Sequence, residues 1–164
     1  MNATACARTF FTTTRTAAGR SLFQTERMAL LFIDVLRAQM RSGKMRIHDF
    51  VVMPNHVHIL LTVPAETTLE KAMQLIKGGF SFRAGKELGF KGEVWQRGYS
   101  DVLVDNEVSF EQHREYIANN PVKAGLVQSP DEYPYGSLFL KKQKHAGAKA
   151  QVLEHAIGTT EVVP

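Results

Sequence analysis

Strand-like and helix-like segments alternate along this chain in an order that restricts its fold more than any other feature. Runs rich in β-branched and aromatic residues indicate strands, and apolar residues three and four positions apart indicate helices. The strand-like segments are 8–15, 46–53, 56–63 and 99–104, and the helix-like segments are 25–41, 68–88 and 106–120. The order βαββαβα predicts an α+β domain of ferredoxin-like or RRM-like type, with the helices packed on one face of an antiparallel sheet.

Turn and capping residues mark the ends of these segments. Pro54 and Asn55 form a turn signal between two strand-like runs, which predicts a β-hairpin. Thr25 and Asn106 are suited to cap helices, because their side-chain oxygens can accept hydrogen bonds from backbone N–H groups of the first turn. Pro121 is expected to end the last helix, because the residue before a proline disfavours helical backbone angles.

One folded domain is expected from length and composition. The chain has 164 residues, of which 44% are hydrophobic and 22% charged, so it can form its own core and is not a disordered chain. After Leu140 the composition changes, and four lysines lie among Ala, Gly and Gln. We therefore expect a domain over residues 8–140 and a basic, flexible tail over 141–164, with a short helix near 152–157.

Cysteine content and hydropathy exclude several classes of protein. A single cysteine, Cys6, excludes an intrachain disulfide and any zinc site built from several cysteines. No apolar run approaches the roughly 20 residues that span a bilayer, and the N-terminal segment lacks the apolar stretch of a secretory signal. We expect a soluble cytoplasmic protein with no membrane partner.

Positive charge is concentrated at the two ends of the chain. Residues 1–46 have 8 Lys and Arg against 2 Asp and Glu, residues 141–164 have 4 against 2, and residues 47–140 have 8 against 12. The net charge of +4 is by itself weak support for a nucleic-acid partner. Its uneven distribution fits a basic N-terminal portion that contacts a phosphate backbone.

Two histidines, His56 and His58, flank Val57 on a predicted strand. Because alternate side chains of a strand share a face, the two imidazoles point the same way and form half of a possible metal site. The spacing alone also fits two histidines that are simply hydrogen-bonded or solvated. On the last helix, Tyr116 and Asn120 are four residues apart and share a face. Tyr116 is therefore either a nucleophile beside a metal ligand or a solvated helix tyrosine.

Three motifs resemble the single-tyrosine HUH transposases, in whose name HUH denotes two histidines around one hydrophobic residue. The motifs are residues 50–60 (FVVMPNHVHIL), 95–99 (WQRGY) and 116–127 (YIANNPVKAGLV). The second and third are similar to a bacterial branch, the REP-associated tyrosine transposases. The resemblance extends over roughly residues 8–140, although Val102 follows Asp101 where the family often has a histidine.

This resemblance implies a site and a reaction. His56 and His58 match the metal-binding pair of the family, Asn120 matches its third metal ligand, and Tyr116 matches its nucleophilic tyrosine. The implied activity is metal-dependent nicking and joining of single-stranded or hairpin DNA, through a 5′-phosphotyrosine intermediate. The implied cofactor is Mg²⁺ or Mn²⁺. The REP-associated branch implies a monomer, whereas other relatives form dimers.

Six cations are candidate DNA contacts, because single-stranded DNA is held by basic side chains and stacking aromatics. They are Arg8, Arg15, Arg20, Lys77, Arg83 and Arg97. Each of them also fits an ordinary solvated cation. Trp95 either stacks on a base or belongs to the core.

Three other functions fit parts of the same pattern. A ferredoxin-like sheet also serves non-catalytic nucleic-acid-binding modules, which stack bases on exposed sheet aromatics. A domesticated relative of the transposases would keep the fold and bind its repeats without moving DNA. An unrelated metal-binding enzyme would account for the histidine pair alone. Metal-dependent cleavage of DNA separates the transposase from the binding module.

Overall fold

A computed structural model describes residues 5–157, and this range contains four strands and four α-helices. The strands are β1 (Arg8–Arg15), β2 (Arg46–Met53), β3 (His56–Val63) and β4 (Ser100–Val104), and the helices are α1 (Glu26–Arg41), α2 (Leu69–Leu88), α3 (Glu107–Lys123) and α4 (Ser137–Ile157). Short 3-10 turns cover Ala17–Gly19, Leu22–Gln24 and Pro130–Glu132. Within 5–157, no helix combines the length and the apolar character needed to cross a membrane.

The four strands form one antiparallel sheet in the order β2-β3-β1-β4. This strand order and the helical connections confirm the predicted ferredoxin-like α+β fold. The predicted hairpin of β2 and β3 is also present. The pairing of β1 with β3 places Arg15 opposite His56 and Thr13 opposite His58. Residues of the first strand therefore reach the histidine pair, although more than 40 residues separate them in the sequence.

The main hydrophobic core lies between one face of the sheet and helices α1 and α2. On β3, the alternate residues Val57, Ile59 and Leu61 are at most 1% exposed and belong to this core. The aromatic rings of Phe23, Phe32, Phe80 and Trp95 pack together in the same core. Trp95 also donates its indole N–H to the Lys77 carbonyl at 3.0 Å, so it is a core residue rather than a platform for a base.

Helix α3 covers the opposite face of the sheet. Val51, Met53 and Leu60 point away from α1 and α2, are at most 2% exposed, and pack with Ile117 of α3. The prediction that all helices share one face is therefore wrong for α3. The physical reason lies in β2 and β3, where apolar residues occupy both faces, so that each face has to be covered.

Helix α3 continues past the proline at which the sequence predicts its end. Pro121 lies inside the helix, which runs to Lys123, so the predicted end is wrong. A proline removes only one backbone N–H, and the last turn is still closed by a 3.0 Å hydrogen bond from Ala124 N–H to the Asn120 carbonyl. Gly125 follows with φ 72°, the left-handed conformation that commonly ends a helix. The candidate nucleophile and the two turns after it therefore belong to one continuous helix.

Helix α4 crosses the predicted domain boundary. It runs from Ser137 to Ile157 through most of the segment predicted as a tail, and the remainder, 158–164, lies outside the described residues. The start of α4 and the residues just before it cover the open edge of β2. Val52 N–H donates to the Tyr135 carbonyl at 2.8 Å, and Phe50 N–H donates to the Ser137 hydroxyl at 3.0 Å. These hydrogen bonds satisfy edge groups that would otherwise be free to pair with another strand.

Candidate functional site

The two histidines predicted as metal ligands lie side by side on β3, beneath helix α3. Their ring centroids are 4.8 Å apart, so the two side chains share a face of the strand as the alternation predicts. His58 is 4% exposed and stacks on Phe11 of β1 at a centroid distance of 5.3 Å. His56 is half-buried at the start of the strand. The pair is therefore fixed in a mostly dry position between the sheet and the helix.

Each imidazole is held through its Nδ1 atom. Nδ1 of His56 donates to Oδ1 of Asn55 at 2.7 Å, and Nδ1 of His58 lies 2.9 Å from the Thr13 hydroxyl. A ring that donates through Nδ1 keeps its lone pair on Nε2. Nε2 of His58 is buried and has no hydrogen-bond partner among the described residues. A buried ring nitrogen without a partner is the atom that a metal ion would satisfy.

Both imidazoles are in the form that binds metals. Burial lowers the pKa of His58 to about 3, with smaller contributions from the charges of His56 and Arg15. Burial and the charge of Arg15 also lower the pKa of His56, although a hydrogen bond with Asn120 acts in the opposite direction. Both rings are therefore neutral near pH 7, and only a neutral ring offers a lone pair to a cation.

Tyr116 stands next to this pair on α3. Its ring lies edge-on to His58 at 5.3 Å and edge-on to Phe11 at 5.7 Å. The residue is 42% exposed, so a DNA strand can reach it from solvent. Two turns further along α3, Lys123 places its Nζ 5.7 Å from the centre of the Tyr116 ring. Tyr116 thus combines access from solvent, a neighbouring cation and contact with His58.

The other three tyrosines are less suited to attack DNA. Tyr133 is 7% exposed and donates its hydroxyl to the Val52 carbonyl at 2.6 Å. Burial raises the pKa of Tyr133 to about 12 and also raises the pKa of Tyr99. Tyr99 and Tyr135 are half-buried and pack against the main core. A raised phenol pKa disfavours nucleophilic attack, and so does a hydroxyl that is already hydrogen-bonded or partly buried.

Asn120 completes a set of three neutral donors. It follows Tyr116 by one turn of α3, and its side chain acts on His56 by raising the pKa of that imidazole. Within 5–157 there is no group of three or more His, Cys, Asp or Glu side chains that could hold a metal ion. A cation at this site would therefore depend on two imidazole nitrogens and one amide oxygen. Such a set fits a divalent ion that keeps other positions open for water or phosphate oxygens.

A buried carboxylate ties α3 to the sheet. Asp49 of β2 is 7% exposed and lies beside a shift in the β2–β3 register. It accepts hydrogen bonds from Arg114 Nε at 2.7 Å, the Ser137 hydroxyl at 2.8 Å and Lys141 Nζ at 2.9 Å. Burial by itself would raise the pKa of Asp49, but these donors lower it below its usual value. Arg114 precedes Tyr116 by two residues, so this ion pair fixes the helix that carries the candidate nucleophile.

Four of the residues that support the site are not among those predicted from the sequence. Asn55 precedes the histidine motif directly, and Lys123 lies seven positions after Tyr116, a spacing that returns to the same helix face. Both could have been found from local spacing. Thr13 meets His58 only through strand pairing, and Asp49 is one of twelve carboxylates in its region with no local signal.

The cations predicted as DNA contacts are spread over the surface. Arg15 lies beside the site, because it is directly opposite His56 where β1 pairs with β3. Arg8 lies at the other end of β1, opposite Val63. Arg83 forms salt bridges with Asp34 at 2.7 Å and with Glu87, so its charge is largely compensated.

The remaining three predicted contacts surround the segment 93–98. Lys77 donates to the Gly98 carbonyl at 2.8 Å, and Arg20 donates to the Glu93 carbonyl. Arg97 is exposed and lines a cavity of about 500 Å³ together with Trp95 and residues of the first 3-10 turn. Lys77 and Arg20 thus have structural partners, whereas Arg97 is available to a ligand. All six assignments as DNA contacts stay predictions.

A family model described as "Transposase IS200 like" matches residues 10–120 of the chain. Among similar proteins, the REP-associated tyrosine transposase of Escherichia coli K12 is 25% identical over 130 residues, which cover 79% of this chain and 75% of that protein. A Haemophilus influenzae protein provisionally named as a REP-associated tyrosine transposase is 26% identical over 111 residues, or 62% of this chain. The chain spans 60% of the length of that second relative.

Two solved structures are similar to this one. A REP-associated tyrosine transposase bound to a REP hairpin has a TM-score of 0.64 and 26% sequence identity, and the match covers 80% of this chain and 77% of that one. A protein from Deinococcus radiodurans, provisionally named a transposase, has a TM-score of 0.50 and 20% identity, with 68% and 90% covered. At that identity the second likeness concerns the fold alone.

Proposed function

Since the chain belongs to the IS200-like transposase family, we propose that it nicks and joins single-stranded or hairpin DNA through Tyr116, with a divalent metal ion, Mg²⁺ or Mn²⁺, at His56, His58 and Asn120. The observation that carries the proposal is the exposed Tyr116 beside the unpartnered Nε2 of His58. Hairpin DNA is proposed as the substrate because the similar structure at 26% identity is described as bound to a REP hairpin. We propose a monomer as the working form.

The proposed reaction exchanges one phosphate ester for another. The Tyr116 hydroxyl oxygen attacks the scissile phosphorus, the bond from phosphorus to the 3′ oxygen breaks, and the DNA 3′ end leaves as a hydroxyl. The phenol proton passes to solvent, which reaches this exposed side chain, and the leaving oxygen gains a proton. The 5′-phosphotyrosine link keeps the energy of the original ester. A second 3′-hydroxyl can therefore reverse the step and join the strands without ATP.

Each neighbouring side chain has a defined task in this reaction. Thr13 and Asn55 hold the two imidazoles through Nδ1, which leaves Nε2 of His58 free for a cation. A bound divalent ion would supply Lewis-acid polarisation of the phosphate and help orient it. Lys123 adds a positive charge where negative charge develops on the phosphate. Arg15, across the sheet from His56, attracts the DNA backbone to the site.

Covalent trapping tests this proposal. Labelled single-stranded DNA from the flanks of the protein's own gene is incubated with the protein, with and without Mn²⁺, and run on a denaturing gel. We expect a metal-dependent protein–DNA adduct that Tyr116→Phe abolishes and Tyr135→Phe retains. The double variant His56→Ala/His58→Ala is expected to lose metal-dependent cleavage. Hairpin binding without any adduct in the wild type would instead indicate the non-catalytic binding module.

A further inference from the structure

The two basic ends of the sequence meet at a groove that the proposed active site does not use. Two adjoining cavities of about 450 and 530 Å³ lie along the open edge of β2, between α1 on one side and α4 on the other. Met40, Ile47 and His48 line both of them, so they form one groove. We propose that this groove, the β2-edge groove, binds the phosphate backbone of the double-stranded stem of the DNA substrate, an inference that rests on the proposed function.

The cations of the groove come from both basic blocks of the chain. Arg37 and Arg46 belong to residues 1–46, which carry a surplus of positive charge, and Lys144 belongs to the second surplus at 141–164. Arg37 lies on one wall and Lys144 on the other. Each of the two basic ends of the chain thus contributes cations to the same groove. Cations facing each other across a groove are suited to a polyanionic strand rather than to a single small anion.

These positive charges are not compensated by neighbours. Arg37, Arg46 and Lys144 are exposed and form no salt bridge within 5–157. The one carboxylate lining the groove is Asp49, which is buried and already paired with Arg114 and Lys141.

The environment of His48 supports a positive potential in the groove. Burial, followed by the charges of Arg46, Lys141 and Arg114, lowers the pKa of His48, while Asp49 alone acts in the opposite direction. The cations that line the groove outnumber its single carboxylate by five to one, which gives the groove a net positive charge.

The distance between the groove and the proposed active site determines how long a DNA stem must be to contact both. Arg46 begins β2, and Met53 ends it opposite His56, seven residues further on. At about 3.3 Å per residue this separation is about 23 Å. A duplex rises about 3.4 Å per base pair, so a stem of about seven base pairs or more reaches Arg46, at the far end of the groove, from the scissile phosphate. A stem of about three base pairs extends no further than the near end of the groove, at Phe50.

Salt-dependent binding of hairpins with two stem lengths tests the proposal. The variant is Arg37→Ala/Arg46→Ala/Lys144→Ala, and the control is Arg27→Ala/Lys71→Ala/Lys86→Ala, which removes the same charge from exposed positions on α1 and α2. Fluorescence anisotropy measures Kd for hairpins with stems of about 12 and about 3 base pairs across a range of salt concentrations. Circular dichroism verifies that both variants remain folded.

For the long stem, we expect the groove variant to bind at least tenfold more weakly at low salt than the control. The slope of log Kd against log salt concentration should fall by about 0.9 for each phosphate that the variant no longer neutralises. For the short stem, variant and control should bind alike. Equal affinities and slopes for the long stem, or equal weakening for both stems, would overturn the proposal. Adduct formation by the wild type on the long-stem hairpin is read separately: its absence contradicts the proposed catalytic function and leaves the comparison of binding to the two stems interpretable.

Discussion

Replacing Asp49 by asparagine should weaken the attachment of α3 to the sheet and lower the unfolding free energy of the domain by an amount that can be calculated from the structure. The substitution keeps the size of the side chain and one acceptor oxygen for Ser137, but it removes the charge that faces Arg114 and Lys141. A hydrogen bond to a charged group contributes about 1.5–3 kcal/mol when buried. The side chains of Arg114 and Lys141 are 43% and 51% exposed, however, so each interaction is reduced by solvent to about 1 kcal/mol.

The expected loss for Asp49→Asn is therefore about 2 kcal/mol of unfolding free energy. For a domain of this size, that corresponds to a decrease in Tm of about 4–8 °C at pH 7. Because hydrogen-bonding donors lower the pKa of Asp49, its contribution is complete above the unfolded value of about 3.9 and is lost as pH falls through the lower folded value. The difference between wild type and variant should therefore shrink in strongly acidic buffer.

Thermal denaturation followed by circular dichroism at neutral and acidic pH measures both effects. Asp34→Asn is the matched control, because Asp34 pairs with Arg83 at the surface with 45% of its side chain exposed. That control should shift Tm by less than half as much as Asp49→Asn. An equal shift in the two variants, or a difference from wild type that does not depend on pH, would refute the role assigned to the Asp49 cluster.

Three further substitutions probe the proposed metal site, the proposed reaction and the end of α3 separately. Thr13→Val should weaken Mn²⁺ binding tenfold or more in calorimetric titration, because the hydrogen-bond partner of a metal-binding histidine fixes the orientation of its ring. The control Thr9→Val removes a hydroxyl far from the two histidines and should leave Mn²⁺ binding unchanged. Lys123→Met should slow adduct formation about tenfold with little change in Kd, since one tenfold step equals about 1.4 kcal/mol of transition-state stabilisation. Gly125→Ala should lower the unfolding free energy by about 1 kcal/mol, because Gly125 has a positive φ. Gly78→Ala should raise it by a similar amount, because Gly78 lies inside α2 with open space around it. Urea denaturation measures whether the unfolding free energy falls in the first variant and rises in the second.

Much of the fold could be predicted because its signals are local. The bounds of β1, β2 and β3 follow from runs of apolar and β-branched residues, and the hairpin follows from a proline–asparagine turn. The predicted helix cap at Asn106 is confirmed, since its side chain accepts a hydrogen bond from Ser109 N–H at 2.9 Å. The placement of α3 on the second face could not be inferred from any one segment. It depends on apolar residues on both sides of β2 and β3, a property of the assembled sheet.

The candidate site also has features that follow from local sequence patterns and features that depend on tertiary packing. The geometry of His56 and His58 follows from the two-residue period of a strand, and that of Tyr116 and Asn120 follows from the helical repeat. The two pairs meet because α3 packs over β3, and this tertiary contact does not follow from either local pattern. The helix end predicted from Pro121 is wrong because a proline removes one backbone N–H only, and backbone hydrogen bonds from Ala124 to Asn120 and from Leu126 to Pro121, each 3.0 Å, close the turn that follows.

The position of the covalent link tests the central claim most directly. The protein is reacted with single-stranded DNA and Mn²⁺, digested with nuclease and trypsin, and analysed by mass spectrometry. The four tyrosines fall in three tryptic peptides: Tyr99 in 98–114, Tyr116 in 115–123, and Tyr133 with Tyr135 in 124–141. We predict that the nucleotide mass is found on peptide 115–123 and on no other. A nucleotide on either of the other two peptides, or cleaved DNA with no modified peptide, would contradict the assignment of Tyr116 as the nucleophile.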